Sequence, residues 1–401
     1  MKNFLLKRKN QLLIYILIIF AGPFVMTKYY LQPTIKKISE YSFYFHNWEI
    51  KIIPIIFILF FSFIIYLIRK KLNQLRLLTL LFIGVVIIFA QQISDFYLGN
   101  SLFDIQSNWH YLAYTIFSYL MYRYLKYRKM DSTKIIAVIF LTATLISTTD
   151  ETLQLNLTNR IFDISDIVKD MLGAVLGIIF VFFVYENGKI IEKGWKIKHR
   201  KLKDYFRNPL SLLFLEFLFT LIFLYFSSIL TEKTVRINSI FISLFVFVVI
   251  FLFIHFSANK IIRFFLVFLI FAQIISFLVF MHKNIIYNSR FLTIYKGIPI
   301  PYFDLMIFEN GMFRLVDKKT FFNSRDKERI CSYADDILLL GSGEEGKGGK
   351  GFPKNEVMQF YVNKVKKKIL QVITLRNQEA VPLFNDLKKQ NKKVVFILHH
   401  E

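Results

Sequence analysis

Between Ser147 and Gly177 the chain reads STTDETLQLNLTNRIFDISDIVKDMLGAVLG, which sets Asp150, Glu151, Gln154, Arg160, Asp163, Asp166 and Asp170 between two apolar runs. Carboxylates, an amide and a guanidinium in such a place can grip a polar head group, hold a divalent cation through oxygen, or move protons. Ionisable groups at the edge of hydrocarbon are costly, and by default they face a bundle interior and mark a site. Asp163, Asp166, Asp170, Gly173 and Gly177 follow at steps of 3, 4, 3 and 4 residues, so they share one helix face. Gly173 and Gly177 form a GxxxG step, which lets a second helix approach closely. Glu151 and Gln154 share a face at the end of the preceding helix, and Arg160 lies in the short connection. His110, in SNWHYLAY, opens an earlier apolar stretch and can join the cluster from the same side. A plainer account pairs Arg160 with Asp163 or Asp166 and makes Asp163 a helix cap. It does not reach Glu151, Asp170 and His110 together. Three readings stay open: a ligand site without chemistry, an acid–base or metal-assisted catalytic site with no identified nucleophile, and structure alone.

The elements that must position these groups are membrane helices. The 401 residues are 55% hydrophobic with 47 phenylalanines, too apolar for a soluble protein of this size. The expected fold is an all-α polytopic membrane bundle of about nine transmembrane helices followed by a soluble α/β domain. The expected spans are Leu12–Tyr30, Ile52–Ile68, Leu77–Ile93, Tyr111–Leu125, Ile135–Thr149, Ile167–Tyr185, Pro209–Leu230, Ile237–Phe256 and Ile261–Met281. They divide the chain into a bundle over 1–185, a basic amphipathic linker over 186–208, three further helices over 209–282 and a soluble domain over 283–401. The net charge of +24 reads as positive-inside loops and attraction to anionic lipid, not as a nucleic-acid surface. Lys7–Lys9, Arg69–Lys71 with Arg76, Arg123–Lys129 and the 186–207 segment fall on one side, which puts the N-terminus in the cytoplasm and the polar cluster outside. Three more crossings put the C-terminal domain outside as well. Glu216, alone in the seventh span, is expected to snorkel or pair. Nothing in the pattern calls for a cofactor.

In the soluble part, strand-like runs are expected at Tyr302–Phe308, Met312–Val316, Asp336–Leu340, Ile369–Leu375 and Lys393–Leu398, with helices at Lys354–Lys367 and Asn377–Lys389. Glu309-Asn310-Gly311 signals a hairpin. The loop Gly341–Gly351 is not a phosphate-binding consensus, since its two glutamates oppose anions, and it reads as a flexible tip. Cys331 reads as a small buried residue. His399 and His400 are expected to be unstructured.

His110, Glu151-x-x-Gln154, Arg160, Asp166, Gly173 and Gly177 together resemble the VanZ-like family, named for an accessory protein of teicoplanin resistance, over residues 75–185. The family pattern is a His opening one helix, then E-x-x-Q, an Arg and D-x-x-x-N-x-x-G-x-x-x-G. This chain has Gln106 and Ser107 where the family often has Asp-Lys, and Asp170 in place of the Asn. The resemblance implies a cell-envelope role, with a membrane lipid or lipid-linked wall precursor as partner. In the C-terminal part, DILLLGSG at Asp336–Gly343 and Thr374, Ala380, Phe384, Asn385 and Leu387 before VVFIL resemble a small β/α domain family that includes a mitochondrial complex I assembly factor. That resemblance implies a binding or assembly module, and so a protein partner for the C-terminal domain.

Overall fold

The computed structural model describes residues 7–26, scattered positions between 34 and 69, and residues 72–94, 96–98, 105–157, 162–257, 259–352, 361–363 and 368–401. Its chain is mostly helical with a sheet-containing C-terminal domain. The helices are α1 (Arg8–Met26), α2 (Gln74–Ile93), α3 (Ile105–Tyr127), α4 (Ser132–Gln154), α5 (Ile164–Ile179), α6 (Pro209–Ile229), α7 (Arg236–Phe256) and α8 (Lys260–Phe280). A short hairpin, β1 (Ser42–Phe45) with β2 (Trp48–Lys51), lies between α1 and α2.

Among the described residues, seven helices are long and apolar enough to cross a membrane, where nine were expected. Two expected spans account for the difference. The stretch 52–68 falls largely outside the described residues. The expected span Tyr111–Leu125 lies in α3, which at 23 residues is long enough, but its His, Asn, Arg, Lys and tyrosines make it too polar.

Local chemistry explains where these helices begin. Asn73, Asp131, Asp163 and Asn259 each sit in extended backbone at an N-cap, with the side chain accepting a first-turn amide. Burial of Asp131 is slight. A hydrogen bond from Lys193 and the first-turn amide hold its carboxyl down at about 2. α5 does not stop at Ile179 but widens into a π-helical turn, Phe180–Tyr185.

The chain forms two compact units. The first comprises Met1–Ser94, Asn100–Ser227 and Ser239–His255, so it includes α6 and most of α7. Its central element is α5, in which every residue but Asp166 is buried. α3 lies parallel to it and α4 antiparallel. Added Cβ atoms show how close α3 comes: at Gly173 one would stand 2.9 Å from the Tyr111 backbone, and at Gly177 2.7 Å from Ser118 Cβ. The GxxxG step therefore packs on the backbone of another helix, as its spacing predicts, and that helix is α3. Thr115 Oγ1 and Ser118 Oγ donate to the Gly173 and Ala174 carbonyls across the seam at 3.1 and 3.0 Å. Further along, Tyr122 and Lys126 both donate to Glu186. The 186–208 segment is not a continuous helix. It holds a 3₁₀ turn at Lys189–Lys193 and one helical turn at Leu202–Tyr205.

Glu216, on α6, is buried, and its Oε2 has no hydrogen-bond partner among the described residues. It neither snorkels nor pairs.

The second unit comprises Asp95–Gly99, Ser228–Asn238 and Phe256–Glu401. A meander of β3 (Ile285–Asn288), β4 (Leu292–Tyr295) and β5 (Ile298–Pro301) precedes a six-stranded sheet. The sheet holds β6 (Leu305–Ile307), β7 (Phe313–Leu315), β8 (Ile337–Gly341), β9 (Tyr361–Asn363), β10 (Lys368–Leu375) and β11 (Val394–Leu398), in the order β7-β6-β11-β8-β10-β9. β11, β8 and β10 are mutually parallel, and the outer strands run antiparallel. Two further helices are α9 (Ser324–Tyr333) and α10 (Asn377–Lys389). The Glu309-Gly311 turn joins β6 to β7, with Gly311 at φ 78°. Of the helix expected over Lys354–Lys367, Tyr361–Asn363 is a strand instead, and the rest lies outside the described residues.

Two other expectations are corrected by packing, those for the terminal histidines and for the glycine-rich loop. His399 and His400 are buried, both held by Asp304. The glycine-rich loop folds back on Glu401, whose carboxylate accepts from the Glu345 and Lys347 amides at 2.9 and 3.2 Å. Segment 96–98, between α2 and α3, belongs to this unit's core: Phe96 stacks on Tyr333 and Tyr97 packs edge-on against Phe322. Thr231, between α6 and α7, is gripped by Asp317 at 2.8 Å.

Candidate functional site

The site forms where the first turns of α3 and α5 meet the last turns of α4. The α3–α5 seam brings His110 over Asp170, with Nδ1 and Oδ1 2.9 Å apart. The other oxygen of Asp170 accepts from Ser147 Oγ on α4 at 2.6 Å. One turn toward the N-terminus of α5, Asp166 lies 3.8 Å from His110 Nε2 and 3.0 Å from Lys169 Nζ. Nearer still to the helix start, the Asp163 amide donates to Glu151 Oε2 at 3.1 Å. Ser147–Asp170 and Glu151–Asp163 are thus two rungs between α4 and α5, and Asp166 lies between them. Gln154 closes the α4 side, donating to both Asp150 and Glu151 at 3.0 Å.

Burial divides the cluster. The side chains of Asp170 and Lys169 are 5% and 4% exposed, whereas His110 and Asp166 are 20% and 25% exposed. Asp170, Ser147 and Lys169 form a dry inner layer. The partly exposed side chains are those of His110 and Asp166, with Nε2 3.8 Å from the Asp166 carboxylate.

This arrangement has definite chemistry. With Nδ1 donating to Asp170, the imidazole is fixed in one orientation and Nε2 is left to face a ligand. It is not a serine-nucleophile triad. Ser147 donates to the aspartate, not to the histidine, so no imidazole stands beside its hydroxyl. The carboxylates are committed to a lysine, a histidine, a serine, an amide side chain and a backbone N–H. Among the described residues no group of three His, Cys, Asp or Glu side chains is placed to hold one metal ion.

His110, Glu151, Gln154, Asp163, Asp166 and Asp170 thus come together in one region. Asp163 does so as the cap of α5, accepting from Ser165 N at 2.8 Å. Arg160 lies outside the described residues. Sequence reasoning passed over Lys169 and Ser147. Both had a signal: Lys169 is three residues after Asp166, and Ser147 precedes Glu151 and Gln154 by four and seven, on their face. It also passed over Gln91 on α2, which donates to Asn108 on α3 at 2.9 Å, both buried. This ties the end of one helix to the start of the other.

No protein-family model, no curated protein and no solved structure matches the chain.

Proposed function

We propose that the chain is a multi-pass membrane protein of the cell envelope, and that its polar site binds the head group of an anionic lipid or a lipid-linked wall precursor. The observation that carries this is the His110–Asp170–Ser147 arrangement, a histidine oriented from behind by a buried carboxylate and open in front. A buried carboxylate and lysine are too costly to keep in an apolar bundle for packing alone. In this reading protonated His110 meets the anionic group, joined by Arg160, and Asp166 takes its hydroxyl or ammonium hydrogens. Lys169, Glu151 and Gln154 hold these groups from behind.

α3 crosses the membrane in this reading, because it pairs with the spanning α5 in parallel from His110 to Lys126. Basic loops put the N-terminus in the cytoplasm and the polar site outside. The C-terminal domain is outside too. Counted from the cytoplasmic 186–208 segment, crossings by α6, α7 and α8 put it there. The domain's α/β layering suits a role as a partner-binding module.

The test is a thermal-shift titration of the purified chain with soluble analogues of lipid head groups and wall precursors. A shift in wild type that is lost in H110Q and D166N supports the reading. No shift with any analogue, together with unchanged glycopeptide tolerance in cells carrying both variants, refutes it.

A second reading is supported by the same imidazole. A histidine with its Nδ1 on a carboxylate and its Nε2 exposed is arranged for general acid–base catalysis on a bound head group. Lipid profiles of cells with wild-type and H110Q protein separate the two, since only catalysis changes the lipids themselves.

A further inference from the structure

The other end of the first unit holds a groove that the polar site does not use. It measures about 450 Å³ and runs between α2 and α6. α2 contributes Leu75 to Phe82 and α6 contributes Leu210 to Phe217, each at helical steps of three, four and seven. The π turn supplies Phe183 as the floor. One end is closed by the Phe82–Phe217 ring pair, with centroids 5.7 Å apart. At the other end Trp195 leans on Phe214 at 6.2 Å. The groove spans about two helical turns, roughly 10 Å.

What lies at the open end gives the occupant. Ile191 and Trp195 line the groove, and the exposed Lys189 and Lys196 flank them, while Lys193 is turned to Asp131 at 2.9 Å. Arg76 lies between two α2 lining positions. Residues 186–207 hold eight lysines and arginines against three acidic residues. Trp195 is 52% exposed, as suits an indole at a membrane interface. An apolar slot ending in an indole and a ring of cations matches one acyl chain and the negative head group above it.

We infer that this groove is a binding site for an anionic glycerophospholipid, with one acyl chain between α2 and α6 and the phosphate between Lys189 and Lys196. Lipid tails are as apolar as the groove, so the slot by itself selects nothing in a bilayer. Selection comes from charge, at about fivefold in affinity per lysine near the surface. The loss of lysines therefore removes the preference and leaves the slot intact.

The experiment uses the full chain with Trp48→Phe and Trp109→Phe, which leaves Trp195 as the sole indole. It is reconstituted in phosphatidylcholine vesicles carrying a minor, equal fraction of brominated-chain phosphatidylglycerol or brominated-chain phosphatidylcholine. Brominated phosphatidylglycerol should quench Trp195 with an apparent affinity at least about fivefold above that of its zwitterionic counterpart. Replacing Lys189 and Lys196 by Gln should make the two lipids equal. H110Q should leave the difference untouched, which keeps this groove separate from the polar site. Equal quenching by both lipids before any lysine is changed overturns the inference, as does a preference that survives the double Gln variant. Native mass spectrometry of the unaltered chain reads the same site without substitutions. It should show one retained phosphatidylglycerol after detergent extraction, and equal loss of both lipids overturns the inference.

Discussion

His110 Nδ1 and Asp170 Oδ1 stand 2.9 Å apart across the α3–α5 seam. Asp170 is spent on this contact and on Ser147, so its role toward any ligand runs through the imidazole that it orients. D170N keeps the shape but lets the ring rotate and removes the charge behind it. It should weaken head-group binding by tenfold or more, whereas S147A, which removes one donor to Asp170, should cost about 1 kcal/mol of stability and little binding. Parallel binding and denaturation curves for both variants check this. Equal binding by D170N and wild type would exclude the orienting role.

The helix seam gives a sharper steric test. A methyl group at Gly173 would meet the His110 and Tyr111 backbone at 2.9–3.0 Å, and one at Gly177 would meet Thr115 and Ser118 at 2.7–2.9 Å. Backbone cannot swing aside, so G173A and G177A should each destabilise by about 1–3 kcal/mol and shift His110 away from Asp170. Gly84, on α2, has nothing within 4 Å of an added Cβ. G84A should be neutral or slightly stabilising, through helix propensity alone. Melting temperatures of the three variants in one detergent decide the matter.

Glu216 presents the reverse case. Its carboxyl is buried on α6, with Oε2 lacking a partner among the described residues. A buried polar atom without a hydrogen bond is a cost of about 1–3 kcal/mol. E216L should therefore be as stable as wild type or more so. If E216L is more stable and yet inactive in cells, Glu216 is kept for function. A destabilised E216L would show that the carboxyl has partners after all.

The α5 side of the seam was legible because helical periodicity is set by the backbone, and Gly173 and Gly177 mark a face that another helix can approach, but the spacing did not name α3 as that helix. At Asp163, for which the sequence offered both a stripe position and a cap, the cap holds. The aspartate falls on the stripe by count, but as the cap it has extended backbone, φ −117° and ψ 113°, and its side chain turns back on the Ser165 amide. α10 has the bounds that its sequence predicts, since its signals are local. β9 does not, because Tyr361–Asn363 becomes a strand by pairing with β10, and that pairing is invisible to helix-like spacing. The four-residue strands β3 to β5 were too short to register as runs. His399 and His400 were misread because the carboxylate that buries them, Asp304, is about a hundred residues away in sequence.

Sidedness of the C-terminal domain can be read by thiol labelling. Cys331 is 1% exposed, and burial pushes its thiol up to about 12. It should resist maleimide in the folded chain and react only on unfolding. The surface position Lys392 is the better reporter. C331S with K392C should react with an impermeant maleimide in intact cells if the domain lies outside. Protection in intact cells and reaction after lysis would put it in the cytoplasm.

His399 and His400 should give the second unit two opposed pH limbs. Burial pulls His399 down, but the charge and hydrogen bond of Asp304, 2.6 Å from Nδ1, outweigh it and leave the imidazole above its ordinary 6.5. His400 goes the other way: burial holds it below 6.5 despite the same carboxylate. A raised folded value gives stability that is fully present below the unfolded value and is lost as pH rises through the folded one. A lowered value gives stability present above the unfolded value and lost as pH falls through the folded one. Wild type should lose stability on both sides of neutrality. H399Q should abolish the alkaline limb and H400Q the acid limb. D304N, which leaves two buried groups without their carboxylate, should cost about 3 kcal/mol and flatten the alkaline limb. Hydrogen-exchange protection of the Val394–Leu398 amides in the full chain, corrected for the intrinsic rate at each pH, reports this directly. Protection of wild type that is flat from acid to alkaline pH would show that neither histidine titrates with folding.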